Sequence, residues 1–281
     1  MTQASNADNC STNHDDQELL YGVIAAANSA GARLAAIFAR DARPCSRSEM
    51  LAAGARNELA ALTGLRERLA ALHPDARWVE QDQETSELPL GEWWAVDAVE
   101  GNVNHIHGLG EWCVSITLLR DNAVVLTVVR QPIGDLTYTA LRGGGAFLNG
   151  ASLGVSAKTA LDAAIVATGQ AEAGQAGTHR RIGDSITAML GQALLVRCTV
   201  PSTFPMLLVA SGQNDVFWQY SPVLPGIAGG ILLVSEAGGT ISQIDGSPWR
   251  PGSHDVLVAT PALHAASVRV LASLSTEQGR S

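Results

Sequence analysis

The change of pattern at Asn149-Gly150 constrains the fold of this chain more than any other feature. Ahead of it, two long helical patterns are followed by a run of strands; beyond it, strands and helices alternate. In 16–40 the residues Leu19, Leu20, Val23, Ile24, Ala27, Leu34, Ile37 and Phe38 recur mainly at three- and four-residue steps, the spacing of one helix face. Asp15 or Asp16 is placed to cap its start. A second helical pattern covers 48–72 and stops at His73-Pro74. Strands are predicted at 94–97, 112–119, 123–130, 136–141 and 146–147, with turns at Asp121-Asn122 and Gly143-Gly144-Gly145. Strands near 164–167, 193–198, 215–219 and 256–259 then alternate with helices near 181–190, 203–211 and 224–237, before a C-terminal helix. The expected organisation is a disordered leader over 1–15, an α+β half with an antiparallel meander over 16–150, and an α/β half over 151–281.

A chain of 281 residues buries a core large enough for one big domain or for two halves sharing a cleft. Its apolar residues come in short blocks, so no run of about 18 is expected to span a bilayer. The polar, acidic start MTQASNADNCSTNHDDQE reads as a leader and not as a signal peptide, which makes the cytoplasm the expected location. The four cysteines are far apart with no zinc-like spacing and are read as free thiols. With 27 acidic against 18 basic side chains the net charge is −9, which repels a phosphate backbone and points to a small-molecule partner, not nucleic acid or membrane. Lys158 is the single lysine, and its polar SAKTA segment predicts a solvated surface position.

The chemistry concentrates in Trp94-Ala-Val-Asp97-Ala-Val-Glu100-Gly101-Asn102-Val-Asn104-His105-Ile-His107-Gly108. A strand ends at an acid, a second acid follows three positions later, and a glycine permits a sharp turn. Two carboxylates aimed into one cleft raise one another's pKa, which suits general acid-base work. Strand-end acids also cap turns, and that structural role stands beside the catalytic one. His105 and His107 next to the acids match no standard metal spacing.

In an ordered series with Val114-Ser115-Ile116, Arg142 to Gly150, Val155-Ser156 and Ser235 to Gly239, this segment resembles the inositol monophosphatase-like family across 16–272. The resemblance implies a layered αβαβα sandwich, a homodimer, and substrate held between the halves. It also implies about three magnesium ions held by carboxylates from three places in the chain. The first falls on Gln81, with Glu80, Asp82 or Glu84 available if the loop is shifted. In the second, Asp97 is retained, Glu100 replaces an aspartate, and Asn102 replaces a threonine that orients the attacking water. In the third, a Trp-Asp pair has become Pro225-Gly226, while an acid that recognises substrate hydroxyls has become Gln219. Glu58 falls where the family has an aspartate near that water.

The expected protein is therefore a diverged enzyme that needs no cofactor. Asp97, Glu100 and Asn102 are its catalytic residues, and His105, Gln81, Gln219 and Gly226 contact the substrate. Any metal would rest on Asp97 and Glu100 alone. Two alternatives stay open: a magnesium-dependent phosphomonoesterase acting on a sugar or inositol phosphate with a weakened metal site, and a non-catalytic ligand-binding or interaction module.

Overall fold

Helix α1 spans Ala4–Ile37 and buries Leu20, Val23, Ala26, Ala27, Ala30 and Leu34 along one face. The computed structural model describes residues 4–170 and 176–277. The leader expected to be disordered over 1–15 is helical from Ala4 onward, and residues 1–3 lie outside the described residues. No glycine or proline interrupts 4–21, and extending a formed helix gains one hydrogen bond per residue fixed. By length and composition the Asp15–Ile37 part reaches what a membrane span needs, with a mean hydropathy of 1.2, contrary to the sequence expectation. Its alanine-rich face instead packs on a sheet, against Trp94, Val114, Ile116, Leu126 and Val128.

The second helical pattern is two helices, α2 (Arg47–Leu62) and α3 (Leu65–Leu72). Ser46 accepts the Glu49 N–H at 3.2 Å, capping one free donor of α2, while the Glu49 carboxylate takes the Cys45 N–H just ahead of the helix at 2.7 Å. Gly64 divides the pattern, because its φ of 69° is open to glycine and ends the helical run.

The first sheet contains β1 (Arg77–Trp78), β2 (Glu92–Glu100), β3 (Cys113–Arg120), β4 (Ala123–Gln131), β5 (Leu136–Leu141), β6 (Gly145–Leu148) and β7 (Ala151–Ser152), in that spatial order. Apart from the parallel β1–β2 pair it is an antiparallel meander. Asp121 and Asn122, both at positive φ, make the tight β3–β4 hairpin. The short helix α4 (Asn102–Ile106) sits between β2 and β3.

The second sheet is built from β8 (Ile165–Gly169), β9 (Leu195–Thr199), β10 (Val216–Tyr220), β11 (Thr240–Ser242) and β12 (Asp255–Ala259), in the order β11-β12-β10-β8-β9. Helices α5 (Ala176–Leu190) and α8 (Pro261–Glu277) contact this sheet, whose Val166, Trp218 and Leu257 join Met189, Leu263 and Leu271 in one core. Helices α6 (Thr203–Ala210) and α7 (Leu224–Glu236) lie in a second core shared by both sheets, with Trp93, Ala95, Phe217 and Val258. The layers thus run α1–α3, first sheet, α6–α7, second sheet, α5 and α8.

Helix α7 is buried from Leu224 to Val234, and its glycines set how closely it lies between its neighbours. A Cβ on Gly229 would stand 2.9 Å from Thr127 Oγ1, and one on Gly230 would meet Met206 atoms at 2.6–2.7 Å. Gly230→Ala is expected to cost about 1–3 kcal/mol through overpacking, read as a lower urea midpoint at unchanged m-value.

Candidate active site

In a regular strand, residues three apart face opposite sides, so Asp97 and Glu100 could not meet. The structure brings them together with a bulge. Asp97 pairs with Ser115 and Glu100 with Cys113, leaving Ala98 and Val99 opposite Val114 alone. The displaced Val99 N–H is taken by Asp97 Oδ1 at 3.0 Å. Gly101, at a φ of 82°, then turns the chain into α4; a Cβ there would be 2.6 Å from the Glu111 carbonyl oxygen and 2.9 Å from Pro201.

Glu100 is 6% exposed. Burial pushes its pKa well above the ordinary value of 4.5, the Asp97 charge and a hydrogen bond between the two side chains push it further, and hydrogen bonds from Thr203 oppose the rise. Glu100 is therefore the carboxyl biased toward its neutral form. Thr203, the first residue of α6, donates its N–H to Glu100 Oε1 at 3.2 Å and its hydroxyl to the Gly226 carbonyl at 2.8 Å. Gly226 faces the same carboxyl, since a Cβ on it would lie 3.6 Å from Glu100 Oε2 and 3.8 Å from Oε1. Behind the pair, Cys113 is fully buried; burial first, and then the charges of Glu100 and Asp97, push its thiol well up and make it a poor nucleophile.

Asp97 opens onto a cleft of about 660 Å³ that Gln81, Asn102 and Glu58 also line. Gln81 sits on a single helical turn, Gln81–Gln83, next to Glu80, whose carboxylate pairs with Arg66 at 3.2 Å. Glu80 and Glu84 share the cleft with Gln81, whereas Asp82 is exposed outside its lining. The Glu84 carbonyl accepts the Leu224 N–H at 2.8 Å and fastens this loop to the start of α7.

Three sequence expectations need correction. His105 does not line the cleft: α4 turns it toward α1, where it is 3% exposed between Phe38 and Trp112. Its Nε2 meets the Leu34 carbonyl at 3.1 Å and its Nδ1 the Asn57 amide at 3.0 Å, and burial lowers its pKa, so it is a neutral packing residue. Gln219 is 6% exposed and lies outside the cleft lining; it packs on Gly169, with its Oε1 unpartnered among the described residues. Lys158 is not simply solvated: its ammonium is 2.8 Å from Asp215, a carboxylate with no exposure that also accepts Ser156 Oγ at 2.5 Å and the Ile165 N–H at 2.7 Å.

Asn102 does reach the cleft, but its oxygen accepts from Asn57 at 2.8 Å and its amide donates to the Gly54 carbonyl at 3.3 Å, so it ties α4 to α2. Sequence reasoning missed Thr203 and Asn57. A threonine opening an apolar helix was a signal for the first; an asparagine at the centre of α2 carried none. The Gly143–Gly145 turn is held by Glu236, which accepts both glycine N–H groups at 2.9 Å, in keeping with its expected turn role. Among the described residues, no group of three or more His, Cys, Asp or Glu side chains is placed to hold a metal ion.

The family model described as the inositol monophosphatase family matches residues 18–276. An inositol-1-monophosphatase of Rhizobium meliloti (strain 1021) is 33% identical over 192 residues, covering 67% of this chain and 72% of that protein. The Nus factor SuhB of Pseudomonas aeruginosa is 33% identical over 155 residues, covering 55% and 57%. Among solved structures, the extragenic suppressor protein suhB from Bartonella henselae shares the fold with a TM-score of 0.77, at 23% identity over 90% of this chain and 98% of that one. An inositol monophosphatase from Anabaena (Nostoc) sp. PCC 7120 does so at 0.74 and 22% identity, over 92% and 96%.

Proposed function

Because the chain belongs to the inositol monophosphatase family and yet sets a carboxyl pair against a glycine, we propose that it performs metal-independent acid-base chemistry on a small organic molecule. Asp97 meets the ligand in the cleft, and Glu100 acts through it. The observation that carries this reading is the buried Glu100, brought to the side of Asp97 by the β2 bulge and facing Gly226, where a Cβ would lie 3.6 Å from Glu100 Oε2. Family members are ordinarily magnesium-dependent, and Mg²⁺ gives up its waters only to an anionic oxygen cage. Burial disfavours the charged form of Glu100, so it is a weaker anionic ligand than a free carboxylate. Gly226 offers no oxygen from its side chain, and Gln81 offers a neutral one. This donor set fits the cation poorly.

The chemistry that remains belongs to the side chains. Asp97 accepts a proton from one ligand atom in the cleft and returns it to another, while Glu100, fixed by the Thr203 N–H, stays beside it. Proton transfer of this kind is worth about 10²–10⁴ in rate. Asn102 and Gln81 border the reacting position and orient what enters. The same proposal includes a homodimer in the cytoplasm and a small-molecule partner, the net charge of −9 weighing against nucleic acid.

Calorimetric titration with Mg²⁺ is expected to show no binding at micromolar concentration. Gly226→Asp combined with Gln81→Glu and Glu100→Asp is expected to raise the affinity, because space for the new Cβ exists at ordinary contact distance. Two or more tightly bound ions in the unaltered protein, or brisk hydrolysis of sugar or inositol phosphates, would overturn the proposal. That outcome favours the phosphomonoesterase reading, which rests on Glu58 and Glu84 lining the cleft.

A further inference from the structure

We infer that the ligand carries an apolar arm, a ring or a short alkyl chain, which runs from its polar end at Asp97 into a recess between α2 and α4. The inference names the ligand class for the proposed site and rests on the reading that this ligand meets the chain at Asp97.

The recess has a volume of about 620 Å³, close to that of the cleft, and Glu58, Asn102 and Val103 line both. The two spaces therefore meet along one edge. Asn102, held between Asn57 and the Gly54 carbonyl, keeps that edge in place. Beyond it the walls are apolar, with Met50 and Leu51 from α2 and Val103 and Ile106 from α4. Leu51 is 65% exposed and Val103 42%. Apolar residues exposed singly need no explanation. Here both open onto one cavity beside the proposed site, where an apolar ligand group would take them out of water.

Gly54 supplies a second, independent observation. It lies in the interior of α2, where glycine weakens a helix relative to alanine. Alanine would fit, since a Cβ there would stand 3.5 Å from Asn102 Nδ2 and 3.8 Å from Ile106 Cδ1, both ordinary contact distances. Helix packing thus gives no reason for the glycine. Its missing side chain keeps the recess open, because any larger group would stand inside it. A bare polyol or its phosphate has nothing to place there.

The probes are 1-butanol, 1-hexanol and 1-octanol, titrated into the full chain by calorimetry, with glycerol as a polyol that lacks the arm. Each added methylene is expected to tighten binding about fourfold, the factor for taking one CH₂ group out of water, and glycerol is expected not to bind. Gly54→Leu fills the recess and should weaken octanol at least about tenfold, while Leu51→Gln, at an exposed position, should weaken it about threefold. Asp97→Asn should leave the factor per methylene unchanged. Another apolar recess, of about 570 Å³, lies between α1 and β5 beside Tyr21 and Phe147. Alkanol binding that survives both Gly54→Leu and Leu51→Gln, or that is lost in Tyr21→Ser, overturns the inference. So does binding that does not tighten with chain length. The acid-base reading fails separately, through an Asp97→Asn protein that still complements, whatever the alkanols do.

Discussion

Lys158→Met is expected to cost about 3 kcal/mol of stability, read as a drop in the urea midpoint with little change in slope. The loss comes from what the substitution leaves behind. Asp215 has no exposure, and removing its cation strands a charge that water cannot reach. Breaking a buried pair in this way typically costs about 3–5 kcal/mol. The low end applies because Ser156 Oγ and the Ile165 N–H still donate to the carboxylate. Asp215→Asn in the Lys158→Met background should recover part of the loss, since an amide needs no counter-charge, and a double-mutant cycle then isolates the pair. A Lys158→Met protein as stable as the parent would show that the carboxylate is satisfied without its lysine. The junction concerned joins the Ser156–Lys158 linker to β8 and β10, so its loosening should reach the second sheet before the first.

Much of the fold was legible because it is local. Period-two and period-3.6 patterns located β2 to β5, β8, β10, α6 and α7 to within a few residues, and Asp121-Asn122 marked its hairpin. Errors entered where a single backbone angle or a distant partner decides. Gly64 breaks a pattern whose leucine spacing continues through it, because the spacing says nothing of φ. His105 stands five residues from Glu100 and looked like a companion of the acids, yet α4 turns it onto Phe38 and Trp112, and the residue that fixes it, Asn57, lies 48 positions away. Gly226 could be set against the carboxyl pair only through the family resemblance, since nothing within one sequence links residue 100 to residue 226. The bulge that lets Asp97 and Glu100 meet was equally hidden: alternation in AVDAVEG is compatible with both a straight strand and a kinked one.

Exchanging either acid for its amide should separate function from stability, and in opposite directions for Glu100. In Asp97→Asn the carboxylate at the cleft is gone while shape and most hydrogen bonds remain, so activity should fall by about 10²–10⁴. Glu100→Gln should lose activity through Asp97, because the amide hydrogen bonds but yields no proton. It should also raise the melting temperature above neutral pH. The native state raises the pKa of Glu100, so its contribution to stability is fully present below the carboxyl's ordinary 4.5 and is lost as pH rises through the folded-state value. The parent protein therefore loses stability with rising pH over that window, and Glu100→Gln should flatten the slope. Each kcal/mol relieved corresponds to roughly 2–4 °C in a domain of this size class. Complementation of a deletion strain, compared with melting curves at several pH values, reads both effects. A residue that merely caps a turn would leave complementation intact in both variants, and that result would sink the acid-base proposal and put the binding-module reading ahead. A Glu100→Gln protein that melts higher and fails to complement marks a group kept for its proton at the expense of stability.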